Sequence, residues 1–291
     1  VTGYDLNKSK VDKIKTGKAP IKEKGLDELL LRSIGKGNLN VTTDLSSAVE
    51  NSEIAFISVN TPVNEDGSLN TSIVENVCGQ IAMELKKKRS KGFIVVVRSS
   101  VVPGTLKKIR GIMESKGLEY SKDFFLVSNP EFMREGSGIE DFLNPPHTVI
   151  GADNEEVANK IASLYSNINA PTCKVSINTA EIIKFVNNSW HAIKLSFINE
   201  VSSISKKLEI DNKELIDLFC SDTKLNLGAY YFKPSIGYGG SCLPKDLAAL
   251  QYTAKSLGVD AILLNSTSES NIGQINRTLD FIKNEITKIN Q

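Results

Sequence analysis

Short apolar runs, each closed by a polar turn, recur through the first half of the chain at 54–59, 93–97, 124–127 and 147–150. Between them lie stretches whose apolar residues fall three and four apart, at 73–85, 105–114 and 154–165. The first pattern suits strands and the second suits amphipathic helices. Strands that are apolar along their whole length have no wet face, so their alternation with helices predicts an α/β fold: a parallel, doubly wound sheet covered on both sides. Positions 1–5 read as one more strand, entered midway and with no glycine-rich turn before it. Such a sheet binds ligands at the carboxyl ends of its strands. The residues there are Asp5, Asn60-Thr61-Pro62, Ser99-Ser100 and Asn129-Pro130-Glu131.

From about Asn178 the period changes. Ile182, Val186, Trp190, Ile193, Phe197, Val201, Ile204 and Leu208 form one stripe, which predicts a long, strongly buried helix over 178–208 serving as a domain connector or a dimer seam. Asn178, with Glu181 three residues on, resembles a capping box at its start. The remainder to about Gly258 reads as helical apart from a loop rich in Gly and Tyr at 228–241. The expected division is a nucleotide-binding domain over 1–175, a helical central domain over 176–268, and a connecting helix over 269–291 that leads toward a further domain. Ile272, Ile275, Leu279, Ile282 and Ile286 give that last helix an apolar stripe in need of a partner surface.

Composition narrows the class only a little. The formal charge is +1 over 291 residues, and no long apolar run exists, so the balance favours neither nucleic acid nor membrane as a partner. The basic run Lys86-Lys87-Lys88-Arg89 ends a helical stretch, where cations meet the negative end of the helix dipole. Cys78, Cys173, Cys220 and Cys242 lack paired spacing, and there are two histidines. A disulfide framework and a zinc site are therefore not expected, and a reducing cytoplasm is the default compartment.

The sharpest chemical feature is Gly237-Tyr238-Gly239-Gly240-Ser241-Cys242-Leu243-Pro244-Lys245-Asp246. Pro244 suits a first helical position, and a helix from there to Gly258 puts Cys242 at its positive end. That field, with Lys245 nearby, lowers a thiol's pKa, while Asp246 follows one turn on. A lone cysteine beside a glycine turn is more often a small buried side chain; three glycines and an acid one turn away shift the balance toward covalent catalysis. On the long helix Glu181, Lys184, Asn188 and His191 share a face, and Lys184 with Asn188 could hold a water or a developing oxyanion. A solvated helix face is the plainer account of the same spacing. Glu131 and Glu135 flank Phe132-Met133-Arg134 after a strand, placed either for proton transfer or for the first turn of a helix. Asp5 could accept from a ribose diol or cap the segment beginning near Asn7.

Taken in order, these stretches resemble the UDP-glucose/GDP-mannose dehydrogenase family over nearly the whole chain. Val1-Thr2-Gly3-Tyr4-Asp5 with Ala19-Pro20-Ile21 and Gly25-Leu26 resembles the second strand of its NAD-binding domain and the segment after it. Ser128-Asn129-Pro130-Glu131-Phe132-Met133-Arg134-Glu135-Gly136 and the run from Gly239 to Asp246 match its most specific signatures. The resemblance implies an NAD-dependent oxidation of a nucleotide-sugar's primary alcohol to a carboxylate through a cysteine thioester. It assigns the nucleophile to Cys242, alkoxide stabilisation and water placement to Lys184 and Asn188, and proton transfers to Asp246 and Glu131. Ser100 stands where the family has Thr and keeps a hydroxyl that serves both the chemistry and the cofactor. Asp5, Lys10, Thr61, Pro62, Glu135 and Lys245 are implied cofactor contacts. Glu131, Phe132, Lys184, Asn188, His191, Tyr231, Gly237, Tyr238 and Gly239 are implied to line the nucleotide-sugar pocket, and no metal is implied.

Arg98-Ser99, the run from Pro145 to Gly151, Trp190-His191-Ala192, and Lys224-Leu225-Asn226 with Tyr230-Tyr231 resemble the GDP-mannose branch more than the UDP-glucose branch. Ser235-Ile236-Gly237-Tyr238 leans the other way. The resemblance also implies a homodimer through the long helix. The family's glycine-rich turn and third domain lie outside the sequence, so the 291 residues by themselves are expected to bind NAD weakly and to turn over little. Two other classes compete: a non-catalytic binding remnant, and a simple hydroxy-acid dehydrogenase, which would need a histidine base and no thiol.

Overall fold

The structure is a computed structural model that describes residues 1–66, 68–88, 91–134, 136–228, 235–240 and 243–289. Side chains at 192, 196, 245, 246, 249, 250, 252, 253 and 256 lie outside the description. The chain divides into two compact units, Val1–Asn187 and Asn188–Gln291.

In the first unit, β1 (Thr2–Tyr4) pairs in parallel with β2 (Asn40–Thr42), around α1 (Lys8–Lys15) and α2 (Leu26–Gly35). After α3 (Leu45–Glu50), a five-stranded sheet is built from β3 (Ile54–Ile57), β4 (Phe93–Val97), β5 (Phe124–Ser128), β6 (Thr148–Ala152) and β7 (Thr172–Val175), adjacent in that order. Four helices connect its strands: α4 (Ser72–Lys88), α5 (Thr105–Ser115), α6 (Gly138–Leu143) and α7 (Glu155–Ser163). β4 explains the layering. All five of its side chains are buried, with Phe93, Val95 and Val97 on one face and Ile94 and Val96 on the other. The first face packs on α4 and α5 through Val74, Cys78, Ile81, Leu106, Ile109 and Met113, and the second packs on α7 through Val157, Ala158 and Ile161. Each such large apolar side chain contributes roughly 1.5–3 kcal/mol when fully buried.

The expected α/β sheet is present, with one departure from parallel pairing: β5 and β6 run antiparallel, Val127 opposite Ala152 and Ser128 opposite Gly151. Both strands are apolar and covered, and continuous burial carries no information about direction. The three-residue strand β2 and the exposed strand β7 escape the apolar-run criterion for the same reason; they offer too little buried pattern.

The helix α8 (Ile177–Lys207) belongs to both units, and α9 (Asn212–Ser221), α10 (Leu243–Ser256) and α11 (Ile262–Ile289) lie in the second. The second unit's core is Ile204, Ala254, Ala261 and Leu264, with Phe197 and Leu247 packed against it. Two expectations about α8 need correction. The stripe is not buried throughout: Ile204 is, but Ile182, Val186, Trp190, Ile193 and Leu208 are exposed, because periodicity marks an apolar face without supplying the surface that covers it. The capping box is also absent. Asn178 is already helical, the Ser176 hydroxyl accepts the Thr179 N–H, and Glu181 turns to a different helix altogether.

Candidate active site

The registers of β3, β4 and β5 bring Ile57 level with Val97, and Val97 level with Ser128. Loops 58–62, 98–104 and 129–137 therefore leave the sheet from neighbouring points on one edge, the carboxyl edge where doubly wound folds bind ligands. Ser99 ties two of these loops together. Its hydroxyl accepts the Val59 N–H at 2.8 Å and donates to the Val59 carbonyl at 2.7 Å. Ser100, the next residue, is half-buried, as is Thr61, while Pro62 is exposed and its carbonyl accepts the Asn70 N–H.

The third loop is fastened from below. Asn129 is buried; its amide donates to the Val149 carbonyl at 2.8 Å, and its oxygen accepts from Arg98 at 2.8 Å and from the Tyr165 hydroxyl at 2.5 Å. Arg98 also donates to Tyr165 and lies 5.7 Å from the Phe142 ring. Burial pushes the Tyr165 hydroxyl's pKa up, against the lowering effect of the neighbouring guanidinium. Next in the chain comes Glu131. Its Oε2 accepts the Met133 N–H at 2.7 Å, and its Oε1 receives the Lys184 ammonium in an ion pair that is four-fifths buried on both sides. Phe132 meets His147 edge to face at 5.3 Å, closing a small cleft of about 30 Å³ that also touches Arg98 and Pro145. Arg134 clasps Asp141 through two nitrogens, at 2.7 and 3.1 Å, and holds that carboxyl well below the usual carboxylate range.

Lys184 and Glu131, assigned to separate tasks by spacing, are thus in direct contact. Glu181, Lys184, Asn188 and His191 share one face of α8 but not one environment. Glu181 is 3% exposed, whereas Asn188 and His191 are exposed. At β1, Asp5 takes the Asn7 N–H at 2.7 Å and lies 3.5 Å from Lys10, while Asn7 itself caps α1 by accepting from Lys10 N–H. Asp5 is therefore not the helix cap; its second oxygen, part of a side chain 41% exposed, is the one that meets Lys10.

In the second unit the glycine loop rests on α11. Asn271 accepts the Tyr238 N–H at 2.8 Å and returns an amide N–H to the Tyr238 carbonyl at 2.9 Å. A Cβ at Gly237 would stand 2.8 Å from the Asn271 Oδ1 and 2.9 Å from Ile275, so glycine is needed for this approach. Gly239 is exposed. Asn271 does not stand out in the sequence, because an isolated asparagine carries no period, and Asn129 is marked there only as a strand-end residue, with no sign of its partners. Glu135, Tyr231 and Cys242 lie outside the described residues. Lys245 and Asp246 are on α10, with Pro244 in its first turn, but their side chains lie outside the description.

Residues 1–169 match the NAD binding domain of the UDP-glucose/GDP-mannose dehydrogenase family, and residues 178–272 match that family's central domain. The chain belongs to the UDP-glucose/GDP-mannose dehydrogenase family. It is 40% identical over 290 residues to the GDP-mannose 6-dehydrogenase of Pseudomonas aeruginosa, covering 99% of this chain and 66% of that one. With the UDP-glucose 6-dehydrogenase TuaD of Bacillus subtilis it shares 37% over 270 residues, 92% of this chain and 56% of that one. Among solved structures, a ternary complex of GDP-mannose dehydrogenase from Pseudomonas aeruginosa superposes with a TM-score of 0.95 at 40% identity, over 98% of this chain and 65% of that one. A UDP-glucose dehydrogenase from Pyrobaculum islandicum gives 0.72 at 32%, over 99% and 66%. The chain thus spans 66% of the length of the curated GDP-mannose 6-dehydrogenase it matches, slightly under two thirds.

Proposed function

We propose that the protein is an NAD-dependent nucleotide-sugar 6-dehydrogenase acting on GDP-mannose. The single observation that carries the reading is the ion pair of Lys184 with Glu131 at the carboxyl edge of the sheet, with one residue in each of the two segments that match the family's domains. Preference for GDP-mannose over a UDP-sugar rests on the higher identity to GDP-mannose 6-dehydrogenases, 40% against 37% and 34%.

NAD supplies two successive hydride acceptors. The residues present fit it: Asp5 stands at the end of β1 with a part-exposed carboxylate whose Oδ2 is 3.5 Å from the Lys10 ammonium, and Thr61 and Ser100 carry hydroxyls on adjacent loops. The family resemblance adds Lys10, Pro62, Glu135 and Lys245 as further contacts. Lys184, with Asn188 one turn along α8, would hold the sugar's 6-oxygen as it loses its proton, and Glu131 would take that proton directly or through water. The Cys242 thiolate then adds to the aldehyde carbon, giving a thiohemiacetal whose oxidation leaves a thioester. Water held by Lys184 and Asn188, with Asp246 accepting its proton, cleaves the thioester to carboxylate and free thiol. Each sugar loses four electrons and each turnover consumes one water. Phe132, His191, Tyr231, Gly237, Tyr238 and Gly239 would enclose the nucleotide-sugar.

The division at 1–175, 176–268 and 269–291 belongs to the same reading, with the exposed stripe of Ile272, Leu279, Ile282 and Ile286 facing a third domain. So does a homodimer through α8, supported by exposed Ile182, Val186 and Ile193. The free thiols of Cys78, Cys173 and Cys220 suit a reducing cytoplasm. The deciding experiment is an NADH assay on the protein at its natural length, with GDP-mannose and UDP-glucose in parallel. Two NADH per GDP-mannose supports the thioester route, one indicates a simple dehydrogenase, none indicates a binding module, and two with UDP-glucose alone moves the substrate to the other branch.

A further inference from the structure

Glu181 is a buried carboxylate for which no cation partner exists among the described residues. Its Oε2 accepts the Gly104 N–H and its Oε1 the Leu106 N–H, both at 2.8 Å, at the start of α5. The Thr105 N–H faces it as well. Capping is normally a local affair, performed by a Ser, Thr, Asp or Asn at the helix's own first position. Here that position is Gly104, which has φ +95° and no side chain, and the cap arrives from a helix 77 positions later in the chain. A local cap would stabilise α5 alone. A remote one joins the loop 98–104, which issues from β4 at the ligand-binding edge, to the first turn of α8.

What that joint controls follows from helix geometry. Glu181 and Lys184 are three residues apart on α8, so fixing one fixes the rotation and rise of the other. A slip of one residue turns a side chain by about 100° and moves it about 1.5 Å along the axis, enough to take Lys184 away from Glu131. The first turn of the helix is fixed from a second direction as well. A Cβ on Gly151 of β6 would stand 2.5 Å from the Ala180 Cβ and 3.0 Å from the Ile177 Cα, so the helix sits against bare strand backbone. Contact with the strand sets the depth of α8, and the carboxylate sets its rotation. We propose that Glu181 is a positioning residue that, by holding the Gly104 and Leu106 amides, sets the Lys184 ammonium against Glu131. The proposal rests on the reading of Lys184 and Glu131 as catalytic, but the joint itself can be measured without turnover.

The test is Glu181→Gln in the protein at its natural length. Glutamine keeps the shape but has one accepting oxygen, so one of the two amides faces an NH2 group. Amide hydrogen exchange should quicken at Gly104 and Leu106 and stay unchanged in the middle of α5. Turnover should fall roughly ten- to hundredfold, as a displacement of about 1 Å does, with KM for either substrate changed less than about threefold. In a Lys184→Ala background the same substitution should cost no further turnover. If the variant fails to fold, Glu181→Asp, charged but one methylene shorter, takes the same three readings. Unaltered exchange at both amides, unaltered turnover, or equal losses with and without Lys184 would overturn the proposal. If the parent itself shows no dehydrogenase activity, the catalytic reading fails by itself, and exchange at Gly104 and Leu106 still decides whether Glu181 holds the loop.

Discussion

The Lys184 ammonium, on the second turn of α8, is ion-paired with the carboxylate of Glu131, which follows β5 by way of Asn129 and Pro130. The pair is largely buried, and the two groups are 53 positions apart in the chain. A lysine on a solvated helix face has no such partner. If the two act on one proton, removing either should impair turnover, and removing both should cost much less than the product of the single losses. Lys184→Ala and Glu131→Gln are each expected to reduce kcat by about a hundredfold, the usual cost of an oxyanion partner or a general base. Steady-state kinetics on both single variants and the double variant checks this; a loss under about threefold for Lys184→Ala would return it to the class of surface lysines.

Much of this arrangement was legible in the chain. The apolar runs mark β3 to β6 because burial on both faces leaves no polar position in a strand, and β4 shows the rule at its purest. The ends of those strands name the loops that leave the sheet at one edge, since the topology alone directs ligands there. What stayed hidden is whatever joins distant segments through one side chain. Glu181 looks like its own helix's cap until α5 is seen beside it, Asn129 looks like a loop residue until Arg98 and Tyr165 converge on it, and nothing about Asn271 announces its grip on Tyr238. Hydrogen bonds between elements have no sequence period. Direction of pairing was hidden too: β6 is as apolar as its neighbours and yet runs against β5.

The glycine loop should be sensitive to a single methyl group. Gly237→Ala forces a carbon into the 2.8 Å gap beside Asn271 and the 2.9 Å gap beside Ile275, and overpacking of that kind typically costs about 1–3 kcal/mol. Asn271→Ala removes both bonds to Tyr238 without adding bulk. Both variants should lower kcat while leaving NAD affinity within about twofold, because the cofactor's domain is elsewhere in the chain. Calorimetric titration of NAD alongside the NADH assay separates the two effects; a matching fall in cofactor affinity would contradict this account.

Cysteine reactivity should divide by burial. Cys78 is fully buried between α4 and the sheet, and burial raises its thiol pKa to about 12, with Glu75 nearby adding to the shift. Cys173 and Cys220 are exposed. At pH 8 iodoacetamide should label Cys173 and Cys220 within minutes and leave Cys78 unmodified until the protein is unfolded, as mass spectrometry of tryptic peptides can show. Rapid labelling of Cys78 in the native state would mean that α4 does not pack as described.

Asp5 should set the choice of dinucleotide. Its carboxylate stands at the end of β1 with one oxygen committed to the Asn7 N–H and the other within 3.5 Å of Lys10. A 2′-phosphate placed there would meet a negative charge, so kcat/KM should favour NAD over NADP strongly, and Asp5→Asn should narrow that preference by roughly tenfold or more, the equivalent of about 1.4 kcal/mol. Comparable efficiency with both cofactors in the parent would remove Asp5 from the cofactor site.

The clasp of Arg134 on Asp141 gives the loop after Glu131 a pH dependence with a definite sign. Asp141 accepts two guanidinium N–H bonds, the Arg134 backbone N–H and the Ser137 hydroxyl, and the guanidinium holds its carboxyl well below the ordinary carboxylate value. In the unfolded chain that group takes up a proton near pH 3.9. Between the depressed value and the ordinary one the unfolded state carries more protons than the native state, so stability rises with pH across that window. The contribution is complete above the ordinary carboxylate range and drains away as acid is added. Asp141→Asn, which has no proton to take up, should therefore lower the melting temperature at pH 7, and the gap to the parent should close progressively as pH falls below about 5. Melting curves of both proteins at half-unit steps from pH 7 to pH 3 measure it. A gap that is constant with pH would show that the clasp works through packing alone, and a gap that widens in acid would give the carboxyl a raised pKa instead of a lowered one.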